Sequence, residues 1–136
     1  MTDRRKKDDR LLQINVLAVD DVPLNLLLVE KMLSKFNFRI RKAANGRIAL
    51  EEIAMEKPDL ILLDLLMPEV DGFEVLRQVR ENPETAGIRV VILSALNSTD
   101  DIVKGYQYGA NDFITKPIIM EKLVNCVATQ LQLLQH

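Results

Sequence analysis

Tryptophan is absent from this 136-residue chain, which holds one cysteine, Cys126, and one histidine, His136. A lone cysteine forms no internal disulfide and no multi-cysteine metal site, a usage that fits a reducing compartment. A single terminal histidine supplies no transition-metal cage. No apolar run approaches the roughly 20 residues that span a bilayer, and no secretory signal pattern opens the sequence. A basic surplus is missing as well: 18 Lys and Arg stand against 20 Asp and Glu, a net charge of −2. Domains that bind the nucleic-acid backbone are usually strongly basic. These absences point to a cytoplasmic location, with no membrane contact and no direct nucleic-acid binding. Internal repeats and low-complexity tracts are lacking too.

What is present is an ordinary globular balance, 48% hydrophobic and 28% charged, in a length suited to one domain. The start differs from the rest: Arg4, Arg5, Lys6, Lys7 and Arg10 alternate with Asp3, Asp8 and Asp9 without an apolar period. Residues 1–13 therefore read as a charged tail or linker end, and residues 14–136 as the domain.

From Ile14 onward, short apolar runs alternate with longer amphipathic stretches. Val16–Val19, Phe38–Ala43, Leu60–Leu63, Val90–Leu93 and Asp112–Ile114 read as strands. Apolar residues at helical spacing fill the intervals, for example Leu26, Val29 and Leu33, or Val75 and Val79. Five strands alternating with five helices predict an α/β fold with a parallel sheet covered on both faces. The first, third and fourth runs lack polar alternation, as strands buried on both sides should. Phe38–Ala43 alternates with Arg39, Arg41 and Lys42, which places it at an edge. An edge second strand selects the doubly wound, flavodoxin-like order 2-1-3-4-5, and the chain is too short for a closed (βα)8 barrel.

In such open sheets, ligands bind beyond the carboxyl ends of the strands, where the strand order reverses. Strand one ends in Asp20-Asp21, strand three in Asp64 and strand four in Ser94, and strand five leads into Thr115-Lys116-Pro117. Asp64, flanked by Leu60–Leu63 and Leu65–Met67, is costly to bury ionised unless a partner offsets the charge. One of the acids Asp20 and Asp21, before Pro23, could equally cap the following helix. Ser94 read alone is a strand-end hydroxyl and Lys116 a surface lysine. A proline directly after Lys116 admits a cis bond.

Three carboxylates on one rim repel one another without a cation, and hard oxygen ligands select Mg²⁺. A divalent ion, a candidate nucleophilic carboxylate, a hydroxyl and an ammonium are the parts of a phosphoryl-transfer site.

These residues carry a resemblance. Asp20-Asp21, the stretch Leu62–Gly72 around Asp64, Leu93-Ser94-Ala95, Gly105 with Gly109–Phe113, and Lys116-Pro117 together resemble the receiver domain of two-component response regulators, over about Ile14 to Leu134. The resemblance implies a bacterial phosphorelay domain that acts as a switch and not as a turnover enzyme, beyond self-phosphorylation and self-dephosphorylation. Asp64 would accept a phosphoryl group from a histidine of a sensor kinase or a histidine phosphotransfer protein. Asp21, Asp64 and the Leu66 backbone carbonyl would bind Mg²⁺, with Asp20 acting through water. Lys116 and Ser94 would meet the phosphoryl oxygens, together with the backbone amides of Leu65 and Ala95. Ser94 drawn toward the phosphoryl group would leave space for Phe113 to turn inward. The output face would be the fourth helix near Asp100–Gln107, the fifth strand and the fifth helix from Ile119. The same face could hold a homodimer.

Ser94 and Phe113 stand where the family more often has threonine and tyrosine, which keeps the hydroxyl at one position and the ring at the other. Leu66 and Leu96, each two residues beyond a site residue, should disfavour an ordered water and slow loss of the phosphoryl group. An aspartate-nucleophile phosphatase would place its nucleophile after the first strand. A flavin-binding domain would want a phosphate loop where Asp20-Asp21 stand. A receiver that serves only as a scaffold is the third rival.

Of the remaining motifs, Asn97-Ser98-Thr99 reads as a helix start with Ser98-Thr99-Asp100-Asp101 as capping residues. The stripe from Leu24 to Leu33 reads as core packing and Cys126 as a small buried apolar residue. The last helix reads as continuing to His136. With no effector domain after it, the chain is expected to act alone by protein contact or to belong to a longer regulator or hybrid kinase. The stretch Asp21-Val22-Pro23-Leu24-Asn25, followed by a leucine-rich helix, resembles receivers attached to histidine kinases, and that resemblance implies membership of a longer regulator or hybrid kinase.

Overall fold

The computed structural model describes residues 13–133. The tail through residue 12, and Leu134 and His136 at the other end, therefore lie outside the described residues. Five strands alternate with five helices in the order β1 (Asn15–Val19), α1 (Pro23–Met32), β2 (Arg39–Ala43), α2 (Gly46–Met55), β3 (Leu60–Leu63), α3 (Gly72–Glu81), β4 (Arg89–Ser94), α4 (Thr99–Gln107), β5 (Asp112–Thr115) and α5 (Met120–Gln130). All pairings are parallel and the sheet order is β2-β1-β3-β4-β5. The doubly wound prediction holds, with β2 at an edge.

The period of two along each strand divides the core. Val16, Ala18, Leu60, Leu62, Val91 and Leu93 face α1 and α5, where Leu26, Val29, Leu33, Leu123 and Val127 meet them. Leu17, Val19, Ile61, Leu63, Val90 and Ile92 face the opposite side and pack on Ala49, Ile53, Val75 and Val79 of α2 and α3. Right-handed crossovers dictate this division: the step from β1 out to β2 and the steps from β2 back toward β5 run in opposite directions, so their helices lie on opposite faces.

Local capping agrees with the sequence in part. The Ser98 side chain accepts from Asp101 N–H at the start of α4, as expected. Asn45 and Asp71 cap α2 and α3 in the same way. Neither Asp20 nor Asp21 caps α1, whose N-cap is Val22 without a side-chain bond.

Three further expectations are corrected. Leu26, Val29 and Leu33 are core, but Leu24, Leu27 and Leu28 face outward, because ten helical residues present more than one apolar face to a single sheet. The last helix ends at Gln130 and does not run on to His136: Gln132 enters the left-handed region (φ 55°) and Leu133 N–H bonds Ala128 O at 2.8 Å, a closing turn that ends the ladder. Cys126 is half-buried and polar in its contact, donating its S–H to Asp112 Oδ2 at 3.1 Å.

Candidate functional site

The register brings the acids level. Val19 pairs with Leu63, so Asp20 and Asp64 leave neighbouring strands side by side. Asp20 N–H bonds Ala43 O and Asp64 N–H bonds Val19 O, carrying the ladder past the strand ends and aiming both carboxylates at one rim. Asp20, Asp21 and Asp64 each offer an oxygen, and these oxygens lie within 4.8 Å of one another. Asp20 and Asp64 are buried, 6% and 5% exposed, while Asp21 faces solvent. Three acids from two loops at this spacing form a donor set of hard oxygens open on one side, which fits a partly hydrated Mg²⁺.

Lys116 follows β5, and its backbone N–H bonds Ser94 O at 2.8 Å. Its ammonium lies 2.8 Å from Asp20 Oδ2 and 3.6 Å from Asp64 Oδ2. The Lys116–Pro117 peptide bond is cis. One cation thus reaches two of the three acids.

Asp64 Oδ1 also accepts from Leu66 N–H at 3.2 Å. Burial pushes the Asp64 carboxyl above its ordinary range, opposed by the Leu66 N–H and the Lys116 ammonium and reinforced by Asp20 and Asp21. The structure therefore places a carboxylate of raised basicity beside two other acids, a condition that a divalent cation relieves.

Ser94 is fully buried, and its Oγ accepts from Leu96 N–H at 3.2 Å. Its hydroxyl serves its own loop and makes no bond to the acids. Phe113 on β5 is half-buried against the α2–α3 core cluster. Its ring lies under α4 where Gly105 has no side chain: a Cβ there would stand 3.1 Å and 3.2 Å from the ring edge and 2.9 Å from Ile92. Leu66, 51% exposed, and Leu96 wall a groove of about 440 Å³ that begins at Leu65, next in sequence to Asp64, with Phe73 and Pro68.

Two residues that the sequence shows only as members of longer motifs take specific parts here. Gly72 starts α3 so close to β3 that an added Cβ would stand 2.4 Å from Asp64 O and 2.7 Å from Leu65 Cα. Asn25 of α1 donates to Asp20 Oδ2 at 3.1 Å. Its five-residue separation from Asp20 was the one available signal, and it becomes meaningful only once the loop bends the helix start back over the acid.

Comparison with known proteins agrees with this geometry. Residues 16–128 match the family model described as the response regulator receiver domain. The response regulator PleD of Caulobacter vibrioides is 42% identical over 103 residues, which are 76% of this chain and 23% of PleD. Protein PilH of Pseudomonas aeruginosa is 36% identical over 82% of this chain and 93% of its own length. This chain thus spans about a quarter of one curated relative and nearly all of another. Among solved structures, the signal receiver domain of a signal transduction histidine kinase from Syntrophus aciditrophicus superposes with TM-score 0.80 at 33% identity, covering 87% of this chain and 89% of that one. Chemotaxis response regulator CheY4 of Vibrio cholerae gives TM-score 0.81 at 28% identity, covering 88% and 99%. With the fold, the acid cluster and the match over most of its length in agreement, the chain belongs to the response regulator receiver domain family.

Proposed function

We propose that this domain accepts a phosphoryl group on Asp64 from a phosphohistidine of a sensor kinase or histidine phosphotransfer protein, and that the acyl phosphate switches its α4-β5-α5 face. The observation that carries the reading is the convergence of Asp20, Asp21 and Asp64 with Lys116 at the end of a sheet that buries Asp64. An Asp64 carboxylate oxygen attacks phosphorus as the P–N bond of the donor breaks, and the bonding pair leaves with the imidazole nitrogen. Burial raises the basicity of this carboxylate and so favours attack. Asp21, Asp64 and the Leu66 carbonyl would hold Mg²⁺, with Asp20 acting through water. The ion supplies neutralisation of charge on the transferring oxygens. Lys116, within reach of Asp64, supplies a second positive charge from the protein itself.

The output follows from the new charge. Ser94 Oγ, now bonded only by Leu96 N–H, is available to donate its proton to a phosphoryl oxygen, and Leu65 and Ala95 amides complete the cradle. Movement of Ser94 gives Phe113 room to change its packing under α4. A complete inversion of populations from 1:99 to 99:1 requires about 5.5 kcal/mol, which a few charge-assisted bonds approach. The α4-β5-α5 face would then engage downstream protein or a second copy of the chain. Residues 14–136 form the receiver unit, with 1–13 as tail or linker. The Syntrophus kinase receiver and the much longer PleD support a place within a longer regulator or hybrid kinase.

Mass spectrometry after treatment with acetyl phosphate and Mg²⁺ tests the chemistry. The Asp64 peptide should gain one phosphoryl group, and the gain should vanish in Asp64→Asn. Labelling that persists in Asp64→Asn overturns the reading.

A further inference from the structure

Asp20 is nearly inaccessible, yet three donors reach its carboxylate. Oδ1 accepts from Val22 N–H at 2.9 Å, and Oδ2 accepts from both Lys116 Nζ at 2.8 Å and Asn25 Nδ2 at 3.1 Å. Two donors share one oxygen, and only one of them can leave. Lys116 sits on a four-carbon stem and already lies 3.6 Å from Asp64 Oδ2. Asn25 is short and anchored in the first turn of α1.

A phosphoryl group on Asp64 adds negative charge on the side that Lys116 faces, and the ammonium is drawn to it. Withdrawing Lys116 would leave Asp20 Oδ2 with the Asn25 amide as its remaining side-chain partner, and without that amide the buried carboxylate oxygen would be unmatched, which is costly. Asn25 is already on that oxygen. Resting on the phosphoacceptor reading above, we propose that Asn25 is a positioning residue that holds the Asp20 carboxylate while Lys116 transfers from Asp20 to the phosphoryl oxygens.

The role predicts a separation of two affinities. Without a phosphoryl group, Lys116 still holds Asp20, so loss of the Asn25 amide should change Mg²⁺ binding by no more than about twofold. Beryllofluoride, which mimics the phosphoryl group on a carboxylate, requires the lysine to move. Its binding at saturating Mg²⁺ should weaken about tenfold in Asn25→Ala, the size expected for losing a hydrogen bond to a charged group. Asn25→Asp conserves shape and replaces the donor with an acceptor that repels Asp20, so it should bind beryllofluoride more weakly still. In an Asp20→Asn background the charge to be held is gone, and Asn25→Ala should add little.

The measurements are ¹⁹F NMR titration with beryllofluoride and amide chemical-shift titration with Mg²⁺ alone, on wild type and the variants. Equal beryllofluoride affinity in wild type and Asn25→Ala overturns the exchange, and so does wild-type behaviour of Asn25→Asp. Parallel weakening of Mg²⁺ and beryllofluoride binding also overturns it, since that outcome marks a residue that only shapes the loop. A wild-type chain that neither binds beryllofluoride nor labels from acetyl phosphate instead removes the phosphoacceptor reading, and the exchange with it.

Discussion

The thiol of Cys126 on α5 donates to Oδ2 of Asp112 on β5 at 3.1 Å, while Tyr106 Oη on α4 donates to Oδ1 of the same carboxylate at 3.2 Å. One side chain thereby ties together the three elements of the face assigned to output. Burial and the Asp112 contact push the Cys126 thiol from its ordinary 9.0 up to about 12. A thiol held this high carries little thiolate near neutral pH, and the thiolate is the reactive form. Iodoacetamide at about pH 8 should therefore modify native Cys126 far more slowly than the urea-unfolded chain, and Asp112→Asn should speed the native reaction severalfold. Equal rates for native and unfolded chains, read by mass spectrometry, would show that the contact does not govern the thiol.

The Asp64 carboxyl gives a pH dependence of definite sign. Its folded-state pKa lies above its unfolded value, chiefly through burial, so the folded chain binds that proton more tightly. Protonation at low pH favours the fold, and ionisation as pH rises through this window works against it. In the absence of divalent cations, Asp64→Asn should be more stable than wild type at neutral pH by about 1 kcal/mol, and the difference should shrink toward about pH 4. Added Mg²⁺ should raise the melting temperature of wild type and leave that of Asp64→Asn nearly unchanged. Thermal unfolding with and without the ion checks both statements.

Leu66 and Leu96 line one groove together with Leu65, the residue after Asp64, and apolar walls disfavour an ordered attacking water. A polar residue at position 66, such as Leu66→Asn, should shorten the lifetime of the aspartyl phosphate. Leu66 is half exposed, so the substitution should cost less than about 1 kcal/mol of stability. Decay of a radiolabelled phosphoryl group supplies the readout, and an unaltered lifetime would exclude the two leucines as its determinant.

Gly72 is held against the backbone of Asp64 and Leu65, where a Cβ would fall 2.4 Å from a carbonyl oxygen. Backbone atoms cannot rotate away as a side chain can. Gly72→Ala should destabilise the domain by about 1–3 kcal/mol and, by shifting the end of β3, also weaken Mg²⁺ binding. Gly87 has open space around it, and Gly87→Ala serves as the control that should change neither property in urea unfolding or metal titration.

The architecture was readable because its signals are local. Unbroken apolar runs mark the interior strands, Arg39, Arg41 and Lys42 mark the edge, and apolar residues at helical spacing mark the helices between them. These properties rest on side-chain period and burial, which successive residues carry by themselves. The position of Asp20, Asp21, Asp64, Ser94 and Lys116 at one rim followed from the same topology, since every parallel strand ends on that side.

What the chain could not show without its tertiary structure are relations between residues distant in sequence. Ninety-six positions separate Lys116 from Asp20, and no pattern says that the ammonium rests on Asp20 more closely than on Asp64. The outward turn of Leu24 and Leu28, the end of α5 at Gln130, the Asp112 tie and the donation from Asn25 were likewise settled by packing. An apolar or polar residue specifies its own preference for burial or pairing. Which neighbour satisfies that preference depends on where the sheet sets the loops, and that is a property of the folded whole.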